Sequence, residues 1–235
     1  MVKQRMIPRL LNHVWPGNDE FRPKFHAWRA SWMRFNPDYS FRFWNLDNLP
    51  FDLMTPACAR IIKSNLCYVS KGDLIRHIVI YLYGGIYVDT DMECIKNFDP
   101  LLKCSAFVGE GNLSKYEIPN AVMACEKGNA MFGEIIDVIA ESIINNWEIW
   151  NDPKRLYKEA DGSMQQLSRQ YFKKNKNCVV YPTEYFYPFD YDTPMEERRK
   201  TDLSRSFAVH HWNGTDPVLG WAQQDNSKII KDGMR

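Results

Sequence analysis

The chain has 235 residues and a formal net charge of +1, from 30 basic and 29 acidic side chains. Hydrophobic residues make up 45% and charged residues 25% of it, which excludes intrinsic disorder and offers no polybasic surface for binding nucleic acid. Aromatic residues make up 14%, more than a core of this size needs, so we expect some rings to face a ligand. The length favours a single domain spanning residues 1–235.

The sequence shows no sign of a leader, a membrane span or a disulfide framework. The N-terminal residues, MVKQRMIPRLLNHVW, contain no unbroken apolar stretch and no small-residue cleavage site follows, so we do not expect a signal peptide. Charged and glycine residues interrupt the most apolar stretch, Ile75–Val88, which predicts no transmembrane segment. The 6 cysteines include no CxxC pair, which favours reduced thiols over disulfides.

Strands and helices are predicted to alternate along the chain. Predicted strands are Ile7–Trp15, Ser40–Asn45, Ile86–Val88, Ala106–Val108, Asn120–Ala124, Val179–Tyr181 and Ser206–Trp212. Predicted helices are Phe21–Phe35 with Pro23 in its first turn, Thr55–Asn65 with Thr55 as the cap, Ser70–Tyr83, Asn129–Trp147 and Ser163–Lys174. This order predicts an α/β fold with a mostly parallel central sheet flanked by helices, whose ligand sites lie at strand C-terminal ends.

The segment from Ser70 to Asp91 carries the clearest signals in the chain for where a helix begins and ends. Ser70 can cap a helix, Asp73 is the acidic member of a capping box, and Gly84-Gly85 ends the helix. The strand Ile86–Val88 follows at once and leads into Asp89-Thr90-Asp91. The helix therefore returns directly into a strand whose end carries two carboxylates.

Asp89 and Asp91 are separated by one residue at a predicted strand end, so their carboxylates can hold one divalent cation. Such a cation can bridge a diphosphate and neutralise the charge that develops when a sugar leaves it. A pair of solvated aspartates in a turn has the same sequence pattern. Asp73 and Arg76 share a helix face, either as a surface ion pair or as groups that bind sugar hydroxyls and an oxygen-rich ligand.

The whole string SKGDLIRHIVIYLYGGIYVDTDMECI resembles the DXD-containing segment of glycosyltransferase family 32. That family includes yeast α1,6-mannosyltransferases, α1,4-galactosyltransferases and bacterial capsular sugar transferases, and the clostridial glucosylating toxins share the pattern. The resemblance implies a GT-A type fold and a nucleotide-diphospho-sugar donor, either a UDP- or a GDP-sugar. It also implies that Asp89, Asp91 and Arg76 are the catalytic residues, with Asp73, Arg76, Tyr87 and Asp89 around the donor.

Two further segments extend the resemblance at the donor site. The opening IPRLLNHVWPGN is similar to the family's first strand, which implies that Trp15 stacks on the donor's base and that Val14 lines the same pocket. The segment IPNAVMACEKGN is similar to the family's stretch after the metal site, which implies that Asn120 and Ala121 lie near the donor sugar. The aromatic run Tyr181–Tyr191 is a candidate wall for stacking on sugars.

The segment SFAVHHWNG is similar to the family's closing segment, which implies that His210 joins Asp89 and Asp91 as a metal ligand. Two carboxylates and an imidazole suit Mn²⁺, with Mg²⁺ as the alternative. Without the resemblance, His210 and His211 would be interpreted as a solvent-facing pair on an edge strand. Residues 213–217 replace the family's short Gly-Ser-Trp element, so the ring that closes the site is either Trp212 or Trp221.

These features together predict a metal-dependent, retaining glycosyltransferase that moves a sugar to a glycan acceptor and forms an α-glycosidic bond. Two alternatives remain: an effector-like enzyme that modifies a protein acceptor, and a sugar-nucleotide binding module without turnover. Hydrolysis of phosphate esters is a weaker alternative, since it usually needs more carboxylates or histidines around two metals. We expect a cytoplasmic bacterial or viral enzyme, or a Golgi lumen enzyme if an N-terminal anchor is missing from the sequence.

Overall fold

The computed structural model describes residues 7–17, 23–111, 118–152, 155–156 and 170–212, without the side chains of residues 23 and 24. The strands are β1 (Leu10–Val14), β2 (Ser40–Trp44), β3 (Gly85–Val88), β4 (Met92–Cys94), β5 (Ala106–Gly109), β6 (Val122–Cys125), β7 (Cys178–Tyr181) and β8 (Ala208–His210). The helices are α1 (Pro23–Phe35), α2 (Pro56–Lys63), α3 (Tyr68–Tyr83), α4 (Ala130–Asn145), α5 (Trp147–Trp150) and α6 (Met195–Arg198). Residues 170–174 are also helical. The rest of the predicted helix Ser163–Lys174, and the first two residues of the predicted helix Phe21–Phe35, lie outside the described residues.

The central sheet has six strands in the order β2-β1-β3-β6-β5-β7. The pairs β1–β2, β1–β3 and β5–β7 are parallel, whereas β6 runs antiparallel to both of its neighbours. This arrangement confirms the predicted α/β class with a mostly parallel sheet. Because β1, β2 and β3 run the same way, their C-terminal ends share one edge of the sheet, and Trp15 and Asp89 each follow a strand at that edge.

A second, two-stranded sheet lies beside this edge. Strand β4 pairs antiparallel with β8, and Met92 faces His210 in the register. Strand β8 was predicted within Ser206–Trp212, but β4 was not predicted at all, since three residues are too few to show a period of two. The pairing brings the C-terminal part of the described chain back against the segment that follows Asp91.

Helices cover both faces of the sheet. Along β3, the side chain of Tyr87 packs with α2, α3 and α4 on one face, and those of Ile86 and Val88 pack with α1 and β4 on the other. This alternation is the period of two that a strand buried on both faces requires. Trp32 of α1 fixes the second layer, because its indole nitrogen donates to the Met92 carbonyl oxygen at 2.9 Å.

The predicted cap of α3 is wrong, whereas that of α2 is confirmed. Thr55 accepts a hydrogen bond from the Cys58 amide and α2 begins after it. Helix α3 begins after Cys67, so Ser70 lies inside the helix, where its hydroxyl donates to the Trp150 carbonyl oxygen at 2.6 Å. A buried acceptor supplied by a distant segment therefore outcompetes the local capping role, and the carboxylate of Asp73 turns toward other partners.

Gly84 and Gly85 connect α3 to β3 without an intervening loop. Their φ angles are +72° and +95°, in the left-handed region that favours glycine. A Cβ atom on Gly85 would lie 2.2 Å from the carbonyl oxygen of Leu10 in the neighbouring strand. The two glycines thus allow β3 to start against β1, and they place the residues of α3 beside the end of β3.

Candidate metal and donor site

Asp89 and Asp91 lie in the tight turn between β3 and β4. The Asp89 amide donates to the Ala121 carbonyl oxygen at 2.8 Å, and the Met92 amide donates back to the Asp89 carbonyl oxygen at 3.1 Å. The turn follows β3 at the C-terminal edge of the sheet. Both carboxylates therefore project from a segment whose backbone is held by the strands on either side of it.

His210 completes a group of three possible metal ligands. One ligand atom each from Asp89, Asp91 and His210 lies within 4.8 Å of the others, and this is the one such group within the described residues. The His210 Nε2 atom lies 3.1 Å from Asp91 Oδ1 and 3.9 Å from Asp89 Oδ2. The side chains of Asp91 and His210 are buried, whereas that of Asp89 is about a quarter exposed.

The electrostatics of the group follow from its burial and its charges. Burial lowers the pKa of His210, but attraction to the carboxylates of Asp91 and Asp89 and the hydrogen bond to Asp91 outweigh it, so the net pKa is raised. The Nδ1 atom of His210 is buried and makes no hydrogen bond. An imidazole beside two carboxylates is electrostatically a site for a cation, either a proton or a metal ion.

Arg76 of α3 is the second centre of the site. One of its terminal nitrogens lies 2.9 Å from Asp89 Oδ1, and the other lies 3.1 Å from Asp73 Oδ1. The same guanidinium donates to the backbone and side-chain oxygens of Asn120, each at 3.2 Å, and lies over the Tyr87 ring at 4.9 Å. Arg76 therefore joins α3, the end of β3 and the segment before β6 into one polar cluster.

Asp73, Asn120 and Tyr87 lie around Arg76. The Asn120 amide nitrogen donates to Asp73 Oδ1 at 3.0 Å, and the Tyr87 hydroxyl donates to Asp89 Oδ1. Burial raises the pKa of Asp73, although Arg76 and Asn120 act in the opposite direction. Tyr87 is buried, with 2% of its surface exposed, so it orients Asp89 from beneath the site.

The other residues predicted to contact the donor lie along the same edge of the sheet. Trp15 follows β1, is partly exposed, and packs edge-on against Phe25 at 5.6 Å. Pro16, next to it, lies close to α3, since a Cβ atom on Gly72 would be 3.5 Å from its Cγ. Val14 and Ala121 are buried, with 6% and 3% of their surfaces exposed.

Of the two tryptophans considered for closing the site, only Trp212 lies among the described residues. Its ring centroid is 4.1 Å from that of His210, and its indole nitrogen donates to the Phe189 carbonyl oxygen at 2.9 Å. Its φ of 56° is unusual for a bulky residue, and such strain is often found at functional sites. Trp221 and residues 213–217 lie outside the described part of the chain.

Two expectations about aromatic and histidine residues are corrected. The run Tyr181–Tyr191 does not form an open wall, because Phe186, Tyr187 and Phe189 in its centre are buried in the core. His211 is not solvent-facing: it is fully buried, it stacks on Trp28 at 4.5 Å, and its Nε2 atom lies 3.0 Å from Glu93 Oε2. Neither local pattern carries information about what packs over it.

Glu93 is a residue of the site region that the sequence does not identify. It lies on β4 two positions after Asp91, and its carboxylate holds His211, whose amide donates to the Asp91 carbonyl oxygen at 3.0 Å. The neighbouring residues His210 and His211 thus contact two different carboxylates, those of Asp91 and Glu93. Only the alternation of acidic residues at positions 89, 91 and 93 could have drawn attention to it.

The chain is similar to known proteins both in sequence and in structure. Residues 24–108 match the family model described as a glycosyltransferase sugar-binding region containing a DXD motif. The match confirms the predicted resemblance. The chain is 29% identical over 132 residues to inositol phosphoceramide mannosyltransferase 3 of Schizosaccharomyces pombe, which covers 55% of this chain and 36% of that protein. It is 26% identical over 148 residues to a mannosyl phosphorylinositol ceramide synthase of Saccharomyces cerevisiae, covering 62% and 38%.

A third similar protein is an uncharacterized glycosyltransferase of Acanthamoeba polyphaga mimivirus, 26% identical over 106 residues, which covers 43% of this chain and 42% of that protein. The chain thus matches less than half the length of each of these three relatives. No helix among the described residues is long and apolar enough to cross a membrane.

Two solved structures share the fold. The galactosyltransferase LgtC, in complex with donor and acceptor sugar analogues, superposes with a TM-score of 0.52 at 10% identity, covering 96% of this chain and 95% of that one. The apo form of the glycosyltransferase GlyE of Streptococcus pneumoniae superposes with a TM-score of 0.54 at 10% identity, covering 97% and 63%. At these identities the likeness concerns the fold alone, and it confirms the predicted GT-A architecture.

Proposed function

We propose that this chain, whose residues 24–108 belong to the DXD-containing glycosyltransferases, transfers a sugar from a nucleotide-diphosphate donor to a glycan hydroxyl with retention of configuration. The observation that carries the proposal is the group formed by Asp89, Asp91 and His210, whose ligand atoms lie within 4.8 Å of one another. Arg76 stands directly beside it, 2.9 Å from Asp89. Cation-binding and anion-binding groups therefore adjoin, as binding of a metal diphosphate requires.

The residues present fit a divalent cation. Ligands about 2.1 Å from a six-coordinate ion lie about 3 Å from one another, and His210 Nε2 is 3.1 Å from Asp91 Oδ1. Two carboxylates with one imidazole favour Mn²⁺ over Mg²⁺. The bound cation would neutralise the negative charge that develops on the leaving diphosphate.

Arg76 supplies fixed positive charge on the other side of the diphosphate. Its guanidinium is already held by Asp73, Asp89 and Asn120, so little reorganisation is needed when the leaving group acquires charge. Asp73 and Asn120 accept and donate hydrogen bonds at the same place, which suits recognition of sugar or ribose hydroxyls. We assign Arg76 to stabilisation of the leaving group and Asp73 and Asn120 to orientation of the donor.

The aromatic residues supply the remaining donor contacts in this proposal. Trp15 is partly exposed at the C-terminal edge of the sheet, where its ring can stack on the nucleobase beside Val14. Ala121, buried next to Asn120, limits the space at the donor sugar. Trp212 packs against His210 at 4.1 Å and closes the site over the diphosphate.

For the reaction we propose front-face displacement. The acceptor hydroxyl attacks the anomeric carbon on the face from which the diphosphate departs, and the leaving phosphate oxygen takes the hydroxyl proton. No protein nucleophile is required, and the α-configuration of the donor is retained. Asp89 and Asp91 would hold the cation, and Arg76 stabilises the negative charge on the diphosphate oxygens.

The names of the yeast relatives favour mannose as the transferred sugar, because two of them are called mannosyltransferase and mannosyl phosphorylinositol ceramide synthase. GDP-mannose is therefore the first donor to test. The effector-like alternative, with a protein as acceptor, and the module without turnover share the same donor site, so only product analysis separates them from the proposed function.

A thermal-shift panel of UDP- and GDP-sugars with and without Mn²⁺ tests the donor site, followed by a donor-hydrolysis assay with the donor that stabilises the chain most. A true donor raises the melting temperature in a metal-dependent way, since it binds the native state only. Absence of any shift across the panel would contradict the donor site, and a shift without hydrolysis or transfer would favour the binding module. Asp91→Asn is the matched control, with no metal-dependent shift expected.

A further inference from the structure

Arg198 is a fully buried arginine, with 1% of its surface exposed, at the end of α6. Its Nε atom donates to the Thr193 carbonyl oxygen at 2.7 Å. One terminal nitrogen donates to the carbonyl oxygens of Asp190 and Tyr191, at 3.0 Å and 2.6 Å. Burying a guanidinium is costly unless its N–H groups are hydrogen-bonded, so this set of hydrogen bonds to backbone carbonyl oxygens indicates a structural role for Arg198.

The carbonyl groups that Arg198 binds belong to two segments that the chain brings together here. Three of them lie in the turn that precedes α6. The fourth is that of His211, 3.4 Å from the other terminal nitrogen and directly after the proposed metal ligand His210. The guanidinium also lies over the Phe189 ring at 4.9 Å.

Phe189 connects this turn to the closing segment by two contacts. Its carbonyl oxygen accepts the hydrogen bond from the Trp212 indole. Its ring packs in a small cluster with Val209, the residue before His210. The two neighbours of His210 in the sequence are therefore both linked to Arg198. Val209 packs with Phe189, whose ring lies under the guanidinium, and His211 accepts a hydrogen bond from it.

We propose that Arg198 is a positioning residue, which holds the Phe189–Thr193 turn against the closing segment and so keeps His210 beside Asp91. The metal-binding part of this inference rests on the proposed function, whereas the positioning of the closing segment does not. A lysine cannot replace the guanidinium, because its three donors radiate from one atom and cannot reach carbonyl groups spread over a plane. The charge alone is thus insufficient for the role.

The first test is hydrogen exchange of the metal-free protein in Arg198→Lys and Arg198→Met. The reporting amides are those of His210 and His211, which donate to the carbonyl oxygens of Phe186 and Asp91. In both variants we expect exchange in this segment to accelerate about 10-fold while the amides of α3 and β3 keep their protection. Arg199→Met, at the exposed neighbouring position, is the matched control and should leave the segment unchanged.

The second test is a Mn²⁺ titration of the same variants, in which electron paramagnetic resonance measures the bound Mn²⁺. We expect Arg198→Lys to weaken Mn²⁺ binding about 10-fold, as for a group that supports a metal ligand. Unchanged exchange at residues 208–212 in both variants would overturn the positioning role. Faster exchange throughout the protein would overturn it as well, because Arg198 would then stabilise the whole fold and not this segment in particular.

The two tests separate this inference from the proposed function. If the unmodified chain binds no Mn²⁺, the proposed metal site fails, and hydrogen exchange still decides the role of Arg198. If the unmodified chain binds Mn²⁺ and Arg198→Lys binds it equally well with unchanged exchange, the inference fails and the proposed function stands.

Discussion

The Nε2 atom of His210 lies 3.1 Å from Oδ1 of Asp91, although the two residues are 119 positions apart in the sequence. The contact depends on the pairing of β8 with β4, in which Met92 and His210 face each other. The metal site that we propose is therefore divided between a local motif and a distant strand.

Asp91→Asn should abolish sugar transfer while the chain stays folded. The amide keeps the size of the side chain but removes the negative charge that a divalent cation needs, so we expect Mn²⁺ affinity and turnover to fall on the order of 100-fold or more. Initial rates with GDP-mannose, before and after treatment with EDTA, measure the effect, and circular dichroism confirms the fold. Undiminished turnover in this variant would contradict the assignment of Asp91 as a metal ligand. Glu93→Gln is the control, because the Glu93 carboxylate contacts His211 and not His210.

Arg76→Lys should lower kcat/KM about 100-fold, although the positive charge is retained. The guanidinium contacts Asp73, Asp89 and Asn120 at once, and an ammonium group cannot keep all three contacts. Steady-state kinetics with varied donor concentration measure the loss. Equal activity of Arg76→Lys and the unmodified chain would show that charge alone suffices, and Arg76→Met gives the limit without charge.

Trp15→Ala should raise KM for the donor about 10-fold and change kcat little, because stacking on a nucleobase contributes equally to the ground state and the transition state. Trp15→Phe should recover most of the affinity, since a smaller ring still stacks. Competition by free nucleotides, measured by inhibition, reports on the same contact without the sugar. A loss of kcat with unchanged KM would contradict a base-stacking role.

Stability should decrease on mild acidification because His77 is buried. Burial lowers the pKa of the His77 imidazole to about 3, although its hydrogen bond to the Asp73 carbonyl oxygen raises it somewhat. Below the ordinary histidine pKa of about 6.5, the unfolded chain binds a proton at this residue that the native chain does not. The free energy of unfolding therefore decreases as the pH is lowered, by at most about 1.4 kcal/mol per pH unit.

Urea unfolding between pH 7 and pH 5 measures this slope. His77→Gln should reduce this slope without abolishing it, because burial also lowers the pKa of the His13 imidazole, to about 4. Equal slopes for His77→Gln and the unmodified chain would contradict the assignment.

Gly85→Ala should destabilise the protein more than Gly128→Ala does. Both residues have positive φ angles, but a Cβ atom on Gly85 would lie 2.2 Å from a backbone oxygen, whereas nothing lies within 4 Å of one on Gly128. We expect a loss of about 1 kcal/mol at Gly128 from backbone strain alone and of at least about 3 kcal/mol at Gly85. Chemical denaturation measures both, and equal losses would contradict the close contact between β3 and β1.

Several parts of the fold could be predicted because their signals are local. Thr55 before Pro56 marks the start of α2, and Gly84-Gly85 marks the end of α3, since each depends on the conformation of its own backbone. The cap of α3 could not be predicted, because Ser70 bonds the Trp150 carbonyl oxygen, which arrives from α5. The three-residue strand β4 is too short for a periodic pattern, and only its pairing with β8 defines it.

By itself, the sequence determined the resemblance to the DXD-containing glycosyltransferases, the α/β class and the position of Asp89 and Asp91 after a strand, because these follow from a motif of fixed spacing and from hydrophobic periodicity. Only the tertiary structure decided which distant groups meet there. It brought His210 to Asp91, buried His211 against Glu93 and Trp28, and placed Arg198 beneath the closing segment. These contacts join residues far apart in the sequence, and they form because strand pairing and burial select among many locally equivalent side chains.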